Sequence, residues 1–349
     1  MAVKDQKHTE KYSIYNGDCI ETMESLPSNS IDIAIYSPPF AELYNYSSSD
    51  RDLSNCVNHK MFFEHYDYVV RQISRLLKPG RICAIHCSDL RGSTPQNRYD
   101  FPGDLIRAHE KHGFHYFSKH TVWKEPLAMK VRTQVQFLKH KQIVEDSTKC
   151  ASAGADFIVV MRKAGENKSP VEHPAGLKTY AGSDQPDPSL VLAFKDFGPE
   201  EDQKLNFLSH YIWRRYASSV WMDVREGRVL PFDKTQEEDE EKHVCPLQLD
   251  AIERLLVLYS NPGDVMLTPF CGVGSEVFTA VELGRKAVGM ELKETYFRQS
   301  LRNVDRAASN VKYINEDLFT LAAGADKDEY TECNNGNETC KEDDEAEEN

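Results

Sequence analysis

The chain has 349 residues, with 42 Lys plus Arg against 56 Asp plus Glu, and this formal charge of −14 by itself argues against a polyanionic partner. With 40% hydrophobic and 10% aromatic residues it can bury a sizeable core, which excludes a disordered chain, and the length accommodates one large α/β domain or two smaller ones. No apolar run approaches the roughly 18 residues of a membrane span. The start, MAVKDQKHTEKY, carries charge without a following apolar stretch, and nine cysteines stand without CxxC pairing. The chain therefore reads as cytoplasmic, in a reducing compartment, with no membrane partner.

From the N-terminus, a short strand is predicted at 13–15 and a longer one over IDIAIY, 31–36. A helix follows at about 60–77, stopped by Lys78-Pro79-Gly80, then a strand at 81–86 and a helix at about 102–111. Cys83, His86 and Cys87 in RICAIHCSD read as a buried strand with alternate side chains on opposite faces rather than as a metal site. Further strands are expected near 115–123 and 156–161. Residues 164–242 are Pro-rich and irregular, with a helix near 205–216. Texture of the α/β kind resumes with a helix at 250–258, a stop at Asn261-Pro262-Gly263 and a strand at 265–267. A helix after Gly274, a strand at 287–290 and a helix from Glu294 complete it.

Charge is unevenly spread along these elements. The tail from Asp326 to Asn349 holds eleven acids and two lysines, too polar and too charged to fold, and Glu237 to Glu241 adds five acids in an exposed loop. Residues 107–163 run the other way, with eleven Lys or Arg against five acids. The body is thus near neutral with one basic block, and the objection to a nucleic acid falls away.

Two motifs carry chemistry. Thr268-Pro269-Phe270-Cys271-Gly272-Val273-Gly274-Ser275 lies between a strand and a helix, where a glycine turn lets a ligand approach backbone N–H groups. Glu291 ends the next strand, where a carboxylate can accept hydrogen bonds from ribose hydroxyls. The third glycine of the dinucleotide fingerprint is missing, as is a phosphate-cradling GK[ST], so the pair points to an adenosine-containing ligand rather than to a dinucleotide or a triphosphate. The other motif is Ser37-Pro38-Pro39-Phe40, directly after IDIAIY. Two prolines fix the backbone and aim the Pro38 carbonyl. That carbonyl and the Ser37 hydroxyl can accept the hydrogens of an exocyclic amine while Phe40 stacks on its ring, so neither a metal nor a covalent Cys is required.

Together these motifs resemble the amino-methylating DNA methyltransferases of the permuted (beta) class, in which the Pro-Pro motif precedes the cofactor glycines. The opening Tyr15-Asn16-Gly17-Asp18-Cys19, the segments TVWKEP and DFIVVMRK, and the run from His243 through Phe270 share the likeness, and this last stretch is especially similar to enzymes of phage and restriction-modification type. The resemblance implies a Rossmann-like, circularly permuted α/β fold, with a mixed seven-stranded sheet, helices on both faces and an inserted irregular region. It implies S-adenosylmethionine as cofactor, held by Asp18 near the adenine and by Thr268, Pro269, Phe270, Gly272, Gly274, Ser275 and Glu291. Two departures stand out: Thr268 where the family commonly has Asp, and Glu276 where Thr is usual. The implied organisation is an N-terminal half of the methyltransferase domain at 1–163, a target-recognition region at 164–242, the C-terminal half at 243–325 and a disordered acidic tail at 326–349.

In the family, Ser-Pro-Pro with an aromatic is seen mostly in cytosine-N4 enzymes and Asp-Pro-Pro-Tyr mostly in adenine-N6 enzymes, so Ser37 favours cytosine N4 over adenine N6. The partner implied is double-stranded DNA with its target base flipped out. Phosphate contacts are expected from Lys119, Lys124, Lys130, Arg132, Lys139, Lys141, Arg214 and Arg215. The likeness also implies a bacterial or phage-infected host cell, a cognate restriction endonuclease, and a monomer or homodimer. Alternatives of a different class are a catalytically weak relative that binds cofactor and DNA, and an enzyme acting on an RNA or protein amine.

Overall fold

Hydrophobic runs of the sequence become the inner strands of a single large sheet. The computed structural model describes residues 3–39, 52–92, 94, 97–126, 137–184, 206–231 and 246–309, all within the compact unit Met1–Tyr313. The acidic tail and the Glu237 to Glu241 run lie outside the described residues.

Strands β1 (Asp5–His8) and β2 (Tyr12–Asn16) form an antiparallel pair. Helix α1 (Cys19–Glu24) starts on Asp18, whose carboxylate accepts from the backbone N–H groups of Ile20 and Glu21 at 2.8 and 3.1 Å. Strand β3 (Ile31–Tyr36) is buried along its whole length, as a central parallel strand must be. Helix α2 (His59–Leu76) turns Phe62, Tyr66, Val69, Val70, Ile73 and Leu76 inward at helical spacing. It passes without a loop into β4 (Leu77–Ser88), so Lys78-Pro79-Gly80 ends the helix but belongs to the strand. After the short hairpin of β5 (Leu90–Arg91) and β6 (Arg98–Tyr99) come α3 (Phe101–Glu110), β7 (Phe114–Val122), α4 (His140–Glu145) and β8 (Asp156–Lys163). Then follow α5 (Phe207–Tyr216), β9 (Val220–Trp221), α6 (Leu249–Tyr259) and β10 (Val265–Thr268). The last elements are α7 (Ser275–Glu282), β11 (Lys286–Glu291) and α8 (Glu294–Ser309).

The main sheet has the order β1-β2-β11-β10-β3-β4-β8-β7-β9. Strands β2, β11, β10, β3 and β4 run parallel, β8 runs against them, and β7, antiparallel to β8, returns to their direction. The two strands formed late in the chain, β10 and β11, thereby fill the gap between β2 and β3, which are early. Among the described residues this sheet has nine strands rather than the expected seven. The seven are present, and the additions lie at the two edges. Strand β1 reads DQKH, with no apolar alternation to betray it, and β9 is two residues long.

Alternate strand residues feed two cores. Ile33 and Ile35 face helices α5 to α8, whereas Ala34 and Tyr36 face α1 to α3. Asp32, buried in the middle of IDIAIY, is held by Lys78 at 2.6 Å and by Arg81, and its other oxygen accepts the N–H of Val265 at 3.0 Å. A buried carboxylate so partnered ties β3 to both neighbouring strands. Residues 164–242, which read as an irregular insertion, join the sheet and its core in their described part: β9 pairs with β7, and Tyr211, Ile212, Tyr216 and Trp221 are core residues. An aromatic-rich segment buries more apolar area against the sheet than a free-standing loop could.

Candidate active site

The glycine turn is built from backbone requirements. Thr268, fully buried at the end of β10, donates its hydroxyl to the Phe270 carbonyl at 3.4 Å. Gly272 and Gly274 have φ of 52° and 95°, left-handed values that favour glycine. A Cβ on Gly274 would meet Ser300 Cβ at 3.1 Å and Val304 Cγ2 at 3.2 Å, so this glycine lets α7 pack on α8. In front of Gly272 no other described residue lies within 4 Å of where a Cβ would sit.

The Gly272 N–H donates to Glu291 Oε2 at 2.7 Å and the Lys293 N–H to Oε1 at 2.9 Å, joining the turn to the end of β11. Burial pushes the Glu291 carboxyl up to about 7 against the pull of these two donors. Ser275, the first residue of α7, is buried, and its hydroxyl has no hydrogen-bond partner among the described residues. Glu276 is buried too, which raises its carboxyl to about 8. Protonated at neutral pH, it is an uncharged hydrogen-bonding side chain, as the Thr usual at that position would be. The open face at Gly272, the spare lone pairs of Glu291 and the orphaned Ser275 hydroxyl fit a hydroxyl-bearing adenosyl ligand.

Strand β3 carries Ser37 to the same edge of the sheet, because β10 lies beside β3 in parallel register, Met266 to Ile33 and Leu267 to Ala34. The Tyr36 ring packs against that of Phe270, with centroids 5.8 Å apart, so the two motifs touch through neighbouring aromatic residues. Pro38 is buried and Pro39 half-buried, while Phe40 lies outside the described residues. The Ser37 hydroxyl stands 3.3 Å from the carbonyl oxygen of His86 and 3.3 Å from its Nδ1. His86 Nε2 is 3.0 Å from Asp156 Oδ2, and Lys124 Nζ is 2.9 Å from the same oxygen. Burial alone would raise the Asp156 carboxyl, but His86 and Lys124 outweigh it and hold it well below the usual carboxylate range.

Sequence reasoning missed the group formed by His86, Asp156 and Lys124. His86 and Asp156 are 70 positions apart, and no local pattern joins them. The Lys124 expectation is corrected outright: 8% exposed and paired with Asp156, its ammonium faces inward and cannot also hold a phosphate. The other described basic candidates are exposed or half-buried. Lys119, exposed, lies 4.9 Å over the Phe157 ring, and Lys139 and Lys141 are exposed at the start of α4, the latter 3.7 Å from Glu145. Arg214 and Arg215 are half-buried, and Arg215 pairs with Asp184 at 2.7 Å. Lys130 and Arg132 lie outside the described residues. Asp18 is placed as the cap of α1, one strand away from Glu291.

Residues 31–302 match the family model of the N6/N4 DNA methylases. The chain belongs to this DNA methylase family. It is a DNA methyltransferase whose cofactor is S-adenosylmethionine. Among curated relatives, the DNA adenine methyltransferase YhdJ of Escherichia coli is 20% identical over 305 residues, which cover 86% of this methylase and 84% of the relative. The type II methyltransferase M.BamHI of Bacillus amyloliquefaciens is 23% identical over 323 residues, or 87% of this methylase and 60% of the relative. Among solved structures, the cytosine-N4-specific PvuII DNA methyltransferase superposes with a TM-score of 0.54 at 14% identity, covering 89% of this methylase and 96% of that chain. A Thermus thermophilus chain crystallised with S-adenosyl-L-methionine gives 0.54 at 20% identity, covering 85% and 96%. These structural likenesses establish the Rossmann-like methyltransferase fold. No helix among the described residues is long and apolar enough to cross a membrane.

Proposed function

We propose that this methylase transfers a methyl group to the N4 amine of cytosine at a specific site in double-stranded DNA. The observation that carries the choice of base is Ser37: a hydroxyl, not a carboxylate, stands at the end of β3 beside the glycine turn. S-adenosylmethionine, when bound, supplies an electrophilic methyl group on a positively charged sulfur. Glu291 would accept from the ribose hydroxyls and Asp18 would lie toward the adenine. The open backbone at Gly272, with Thr268, Pro269, Phe270, Gly274 and Ser275, would line the rest of the cofactor site. Ser37 Oγ and the Pro38 carbonyl accept the two amine hydrogens of a flipped base, which leaves the nitrogen lone pair directed at the methyl carbon. Phe40 would stack on the base.

Lys119, Lys139, Lys141, Arg214 and Arg215 serve as phosphate contacts at the rim, and the 164–242 segment, with Trp213 exposed beside Arg214, supplies target recognition. A type II methyltransferase among the curated relatives supports a place in a restriction-modification pair with a cognate endonuclease. Sequencing of single DNA molecules from cells expressing the protein tests the reading, with N4-methylcytosine expected in one sequence context. N6-methyladenine alone would overturn the choice of base.

A further inference from the structure

Sheet register brings two polar strand residues, His86 and Asp156, and Lys124 just past the end of β7, together beside Ser37. Ser88 on β4 is the cross-strand partner of Asp156 on β8, and Asp156 is the partner of Val122 on β7. His86 lies two residues before Ser88 and Lys124 two after Val122, so both side chains fall on the face of Asp156. All three are largely buried, with side-chain exposures of 14%, 17% and 6% for His86, Asp156 and Lys124. Such a group in a sheet interior carries a desolvation cost that packing alone does not require.

We propose that His86, oriented by the Asp156–Lys124 pair, is a positioning residue that takes up the Ser37 hydroxyl proton, so that Ser37 can accept a proton from the methylated amine. This inference rests on the reading that Ser37 holds the target amine. Asp156 is acceptor-only when ionised, so the His86 Nε2 facing it at 3.0 Å carries the hydrogen and donates. Nδ1 of the neutral ring is then an acceptor, and it lies 3.3 Å from Ser37 Oγ. Lys124, on the same Asp156 oxygen, keeps that carboxylate ionised and fixes the direction of the chain. The Ser37 proton has two acceptors at equal distance, the carbonyl and Nδ1 of one residue, and rotation about its Cβ–Oγ bond selects between them.

The amine lone pair forms the new N–C bond while the methyl's C–S bond breaks with its electron pair left on sulfur, and the nitrogen takes the positive charge. One nitrogen-bound proton then passes to Ser37 Oγ as the Ser37 proton passes to His86 Nδ1. The imidazolium that results sits against the Asp156 carboxylate until it releases the proton to water. The arrangement follows the logic of a hydroxyl, imidazole and carboxylate acting as a unit, with no covalent intermediate on Ser37.

Two measurements test it. Single-turnover transfer from tritiated S-adenosylmethionine to unmodified, amplified genomic DNA is compared for wild type, S37A, H86A and the double variant, with H86Q as a second substitution should H86A fold poorly. A loss of roughly 10- to 100-fold is expected for H86A, and the double variant should be no slower than S37A alone, because His86 acts through Ser37. A loss under about threefold for the His86 variants, or losses that multiply in the double variant, would overturn the relay while leaving Ser37 in place. An S37A enzyme as fast as wild type would instead remove the Ser37 reading and the relay with it. Independently of turnover, nitrogen-15 NMR of histidine-labelled protein without cofactor should show His86 protonated at Nε2 and bare at Nδ1. A proton on Nδ1 would sink the proposal.

Discussion

Two enclosed carboxyls, one in a helix and one on a strand, meet opposite fates. On the cofactor side, Glu276 in the first turn of α7 has no cationic partner among the described residues, and burial raises it to about 8 with Glu291 adding to the rise. On the Pro-Pro side, Asp156 is nearly as enclosed, yet His86 and Lys124 hold it ionised. Dielectric environment is therefore not what separates them; the presence of cationic and hydrogen-bonding partners is. One region keeps its charge low so that a cationic ligand meets polar but nearly neutral walls. The other keeps a fixed charge at the place where a proton must be taken away.

The largest test of this contrast lies at the reacting end. S37A should lower single-turnover methyl transfer by roughly 10²- to 10⁴-fold while leaving the cofactor dissociation constant, measured by calorimetry, unchanged. Next comes the pH dependence of stability, where the two carboxyls should pull in opposite directions. Glu276 is raised from 4.5 to about 8, so between these values the folded state holds a proton that the unfolded state has lost. Stability should fall as pH rises through that window and level off above it. E276Q should remove most of this slope and gain on the order of a few kcal/mol at pH 9 in urea unfolding, with the raised Glu291 leaving a smaller residue of it.

Asp156, depressed, contributes stability above its unfolded value of 3.8 that is lost as pH falls through the folded value, so D156N should flatten the acid limb instead. K124M, which strands Asp156 against one partner, should cost about 3 kcal/mol at neutral pH by the same unfolding measurement. The smallest effect is expected at Gly272. G272A puts a left-handed Ala into open space, so unfolding should change by only about 1 kcal/mol. Cofactor affinity should nonetheless fall by roughly tenfold, because the added methyl enters the face a ligand would approach. A G272A protein with unaltered cofactor affinity would show that the ligand does not use that face.

Much of this molecule was legible in its sequence wherever function is written in contiguous residues. IDIAIY followed by Ser37-Pro38-Pro39, and a strand followed by Gly272 and Gly274, each declare a backbone geometry that few other residues could adopt. The helices at 249–259 and 275–282 and the strands around them follow from apolar periodicity and fall within a residue or two of expectation. Less legible were elements without such a pattern. The polar β1 and the two-residue β9 extend the sheet by pairing alone, and α1 is a six-residue helix held by the Asp18 cap.

By itself, the sequence determined most of the strands and helices, the glycine turn and the Pro-Pro motif, because local dihedral limits and hydrophobic period are specified by a short window of residues; the permuted order and the class of reaction came from the resemblance of those motifs to a family. Only the tertiary structure decided that Lys124 is an inward partner of Asp156 rather than a phosphate contact, and that His86 stands between Asp156 and Ser37. Strand register sets those contacts, and it arises from pairing among β3, β4, β8 and β7, segments too far apart in the chain for any local pattern to align.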